Sequence, residues 1–85
     1  MPMLDIKLYN QYLQQYISEA IRNSDGSNRS ISEHLETIQV KGLFVRHKLE
    51  RRQALADARA AFDKNRHWPL EIVLSHLGVK HPDHS

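Results

Sequence analysis

The feature that most constrains this chain is an absence: its 85 residues include no cysteine. One hydrophobic core in so short a chain supplies only about 3–5 kcal/mol. Natural chains of this size usually add disulfides, a metal or a second subunit. Without thiols the first is excluded, and so are thiolate metal sites and a cysteine nucleophile. A second copy of the chain is therefore the expected remedy, and a homodimer is predicted.

The opening Met1-Pro2-Met3-Leu4-Asp5 has neither the basic stretch nor the apolar run of a signal peptide. Nowhere does the sequence reach the roughly 20 apolar residues of a membrane span. A cytoplasmic protein without membrane partners is expected. Charge is distributed unevenly. Residues 1–40 hold three Lys or Arg against five acids, residues 41–66 eight against three, and residues 67–85 one against two. A basic middle suits contact with nucleic acid or with an acidic protein, and it equally suits a solvated helix face.

Leu4, Ile6 and Leu8 alternate with Met3, Asp5 and Lys7, which predicts a short strand over residues 3–8. A lone strand cannot satisfy its own backbone, so its partner would be the same strand of another copy. Residues 9–22 carry Tyr9, Tyr12, Leu13, Tyr16, Ile17, Ala20 and Ile21 at helical spacing. Asp25-Gly26 marks a turn. Ser30-Ile31-Ser32-Glu33 fits a capping box that opens a second helix, which Gly42 would end. Residues 44–64 are rich in good helix formers, but their apolar stripe is thin, as if another chain or segment covers it. Trp68-Pro69 opens a last short helix, with proline in the first turn, and Gly78 stops it. Residues 79–85 are polar and are expected to fray.

No catalytic chemistry is legible. The serines fit caps and turns, the three glycines stand far apart, and no histidine pair has the i, i+4 spacing of a helical metal site. No enzyme activity, cofactor or metal is predicted. The three tyrosines could stack on bases, but their helical spacing suits a core or interface better. Trp68 is expected to pack.

A strand, a helix, a turn and a capped second helix resemble the ribbon–helix–helix fold of the Arc/MetJ class. The segment Asn28-Arg29-Ser30-Ile31-Ser32-Glu33-His34-Leu35-Glu36, with Gly42 following, looks like the second helix of ParD-like antitoxins. The resemblance implies a mostly α dimer. Residues 1–43 would form the ribbon–helix–helix-like DNA-binding module, and residues 44–85 two further helices that neutralise a toxin. Leu4, Ile6, Tyr12 and Ile17 would then be buried between subunits. Met3, Asp5 and Lys7 would enter the major groove of double-stranded DNA. Arg29, Ser30, Ile31 and Ser32 would hold a phosphate. The basic run Arg46, Lys48, Arg51 and Arg52 would add phosphate contacts. Leu55, Phe62, Trp68, Leu70, Val73 and Leu77 would anchor the toxin. The implied function is an antitoxin that represses its own operon. The alternative is an all-helical protein–protein adaptor that binds no DNA. Residues 3–8 discriminate between the two: a strand favours the antitoxin, a continuation of the first helix the adaptor.

Overall fold

A computed structural model describes residues 3–84. They form four helices, α1 (Ile6–Arg22), α2 (Asn28–Thr37), α3 (Lys48–Lys64) and α4 (Leu70–Leu77), followed by a 3-10 turn, Pro82–His84.

The predicted strand is corrected: no strand occurs among the described residues, and Ile6 already belongs to α1. The cause is Asp5. Its backbone is extended and its carboxylate accepts the Leu8 amide at 3.2 Å, so it caps the helix. Its own N–H goes to the Glu50 carboxylate at 2.9 Å. A helix satisfies these backbone groups within one chain, where an unpaired strand would leave them open. Leu8 packs on the core with Tyr12 and Tyr16, four and eight residues on, while Ile6 stays exposed. The ribbon on which the homodimer rested is gone. Tyr12 and Ile17, expected between subunits, are buried inside the single chain.

α2 begins three residues earlier than the capping box suggested. Ser27, not Ser30, is the cap, and its hydroxyl accepts the Ser30 amide at 3.1 Å. Asp25 selects this start by accepting the Ser27 amide at 2.9 Å. Glu33 turns instead to Arg29, at 3.2 Å on the exposed face. The helix ends at Thr37 rather than Gly42. Thr37, Ile38 and Val40 are β-branched and favour extended backbone. Arg59 of α3 also takes up the terminal carbonyls, donating to Leu35 O at 3.0 Å and Ile38 O at 2.6 Å.

α3 starts at Lys48, four residues later than predicted, and its stripe is covered from within. Ala54, Leu55, Ala58, Ala61 and Phe62 are buried. The alanines let α1 and α2 lie close against it. At α4, Pro69 is the cap rather than a first-turn residue. Gly78 stops the helix as predicted, in a left-handed conformation (φ 70°). The Gly78 amide meets Ser75 O at 3.1 Å and the Val79 amide meets Leu74 O at 2.9 Å, the two bonds of a Schellman motif.

The stretch expected to fray, residues 79–85, is tied down at its start, and Ser85 lies outside the described residues. Val79 is buried, and Gln14 grips Lys80 by both backbone groups at 2.8 and 2.9 Å. A single core draws on all four helices, from Tyr12 to Val79. Described residues on both sides of position 43 therefore contribute to one core.

Candidate functional site

Ten residues, 38–47, connect α2 to α3. Helix–helix connections in compact domains usually take 2–8. This one is also rich in apolar residues. Ile38 and Val40 pack on the core. Gly42 then turns with φ 127°, a value that L side chains rarely adopt, and a Cβ there would lie 3.4 Å from the Val45 side chain. The turn puts Leu43 and Phe44 outward, 93 % and 94 % exposed.

The base of the loop is fixed. His47 precedes α3 in the left-handed region (φ 54°), an uncommon state for a residue with a Cβ. Its ring nitrogen lies 2.6 Å from the Tyr12 hydroxyl. Arg51 stacks on the Tyr12 ring, 4.2 Å from its centroid. It also donates to Arg46 O at 2.8 Å and to the Tyr16 hydroxyl at 3.3 Å. The Tyr16 bond pushes the guanidinium pKa up. Lys48 closes the turn by donating to Gly42 O at 2.8 Å.

Around this tip the charge is of one sign. Residues 38–56 carry five Lys or Arg and one acid, Glu50. Glu50 is 7 % exposed and is spent on the Asp5 amide. Arg51 and Lys48 serve the loop itself. The side chains of Lys41, Arg46 and Arg52 are exposed and carry no hydrogen bond or ion pair among the described residues.

The residues predicted to read DNA do not come together as a ribbon. Met3 and Lys7 are exposed, and Asp5 is a helix cap. The proposed phosphate cradle is also occupied from within. The Ser30 amide goes to Ser27 Oγ, the Ile31 amide to Ser27 O at 3.0 Å, and Ile31 is fully buried. Ser32 is half-buried, and Arg29 pairs with Glu33. Of the basic run, Arg46 and Arg52 face solvent while Lys48 and Arg51 are structural.

The predicted partner anchors divide as well. Leu55, Phe62 and Val73 belong to the core and present nothing to a groove; Trp68, Leu70 and Leu77 pack half-buried against it. The Trp68 carbonyl accepts from Asn28 at 2.7 Å, and its ring meets His76 edge-on at 5.7 Å. Tyr12 and Tyr16 are buried rather than free to stack on bases.

The exposed pair Leu43-Phe44 escaped the sequence reading, which began a helix at Phe44. A signal was present. Gly42 precedes three apolar residues, Leu43-Phe44-Val45, that fit no stripe of α3, and the basic run follows at once. Among the described residues, no three His, Asp or Glu side chains converge on a metal position. No described helix is long and apolar enough to cross a membrane. No family model, curated protein or solved structure matches the chain.

Proposed function

We propose that this protein is a non-catalytic docking protein that engages an anionic partner surface through the α2–α3 connection and the start of α3. One observation carries the proposal: Leu43 and Phe44 are almost wholly exposed, side by side, among the unpaired cations Lys41, Arg46 and Arg52. Most other large apolar side chains lie in one core, with Met3, Ile6, Leu49 and Ile72 the exposed exceptions among the described residues. Folding has no use for this pair, and exposed apolar groups next to charge of one sign are typical of contact surfaces. The helical start of α1 favours the adaptor alternative over a ribbon that reads DNA. Capture of a partner by an antitoxin-like chain would use the same surface.

Site-specific photocrosslinking tests the assignment. A benzophenone amino acid replaces Phe44 in one variant and Ile72, a half-exposed apolar residue of α4, in another. Adducts formed in producing cells should concentrate at position 44. Equal or stronger labelling from position 72 would show that the docking surface lies elsewhere.

A further inference from the structure

Resting on that docking surface, we infer that its occupant is an anionic lipid bilayer. Leu43 and Phe44 enter the interface, while Lys41, Arg46 and Arg52 contact headgroup phosphates and carboxylates.

Three observations select this occupant. The first is exposure. The apolar pair follows the Gly42 turn at the tip of the loop, with both side chains over nine-tenths exposed. A bilayer receives such a tip without a matching recess, whereas a protein partner must supply one. The second is charge. Between Thr37 and Asp57 the sole acid faces inward, so nothing on this stretch repels an anionic headgroup. A second copy of the chain would bring two sets of these cations together, which disfavours self-association through the tip. The third is mounting. His47 and Arg51 hold the C-terminal end of the loop to Tyr12 and Tyr16, Lys48 ties down Gly42, and Arg59 holds Ile38 at the other end. Insertion then needs no ordering of a floppy segment, which otherwise weakens binding. One apolar pair is a weak anchor alone. Stable surface binding takes two signals, an apolar one and a basic one, and this loop has both.

Vesicle co-sedimentation tests the inference with the full chain. It should bind phosphatidylcholine vesicles containing phosphatidylserine, bind pure phosphatidylcholine vesicles much more weakly, and release as salt rises. Each cation near an anionic surface contributes about fivefold, so K41Q/R46Q/R52Q should weaken binding roughly a hundredfold. L43S/F44S should lose binding at least about tenfold while keeping native helicity. In the W68F/F44W variant, emission should shift to the blue on phosphatidylserine vesicles. Failure to bind, or binding that L43S/F44S leaves unchanged, overturns the inference. If position 44 crosslinks a protein, or the same cations retain duplex DNA, while vesicles are ignored, the lipid assignment falls and the docking surface stands. Crosslinking from neither position 44 nor vesicle binding removes both.

Discussion

The chain has two phenylalanines, Phe62 at 0 % and Phe44 at 94 % exposure, and truncating each to alanine should give opposite results. Phe62 lies on the buried row of α3, which packs against both α1 and α2. With helices on two sides the cavity can collapse only partly, so Phe62→Ala should cost about 4 kcal/mol, within the usual range of 3–5. Per-residue averages put a domain of this size at no more than roughly 13 kcal/mol in all. The loss is thus at least about 30 % of the total, and Tm should fall by on the order of 20 °C. Phe44→Ala removes a side chain that touches little and should stay within about 0.5 kcal/mol of the parent. Urea unfolding followed by helical circular dichroism and by the emission of the single tryptophan, Trp68, measures both. With a slope near 1 kcal/mol per M, the Phe62 variant should lose about 4 M in midpoint, and its slope should not change. A Phe44→Ala cost above about 1 kcal/mol would show the tip folded onto the body. That result would refute the docking surface together with the burial on which it rests.

Tyr9 donates to Asp57, and burial together with that neighbouring carboxylate pushes its phenol up to about 12 from an ordinary 10. Its share of stability is whole below pH 10 and disappears as pH rises through 12. An absorbance titration should show one tyrosine ionising late, and Tyr9→Phe should remove that step. Arg59→Ala takes the donor from Ile38 O and one of two donors from Leu35 O, which keeps the Ile38 amide. It should cost about 2 kcal/mol, and hydrogen exchange should rise first at the end of α2. Gln14→Ala breaks both bonds to Lys80, which should cost about 1 kcal/mol and make residues 79–84 accessible to carboxypeptidase.

What was legible in the sequence was local chemistry. Gly78 ends α4 because its left-handed conformation and the two Schellman bonds depend on residues no more than five apart. The end of α3 at Lys64, where the helix-forming stretch stops, was visible for the same reason. The strand was misread because Leu4, Ile6 and Leu8 satisfy two periods at once. Leu4 and Leu8 are also four apart, continuous with Tyr12 and Tyr16, and over six residues alternation cannot be separated from a helical row. Asp5 was the deciding residue, as a cap placed inside the apparent strand. Ser27 and Ser30 could each have opened α2. The Asp25 carboxylate on the Ser27 amide decided between them, a choice that no cap motif encodes.

Other features depended on residues far away in the chain. Glu50 reads as a surface acid until the Asp5 amide arrives from 45 residues away. Arg59 reads as one more cation of a basic stretch until the end of α2 needs its guanidinium. An apolar stripe shows that something covers it but not which chain does so. For that reason Leu55, Phe62 and Val73 read as anchors for a partner and proved to be core. The same ambiguity hid Leu43 and Phe44 in the opposite direction, since the predicted helix began at Phe44 and Leu43 stood at its edge. Each residue is unremarkable by type and informative only once its exposure is known. The core takes in or half-covers the apolar side chains that the resemblance assigned to binding and leaves this pair among the exposed ones. Arg51 and Lys48 are drawn into holding the loop, and the unpaired Lys41, Arg46 and Arg52 remain around it. The folded chain therefore narrows a diffuse basic middle to a tip of two apolar side chains and three cations.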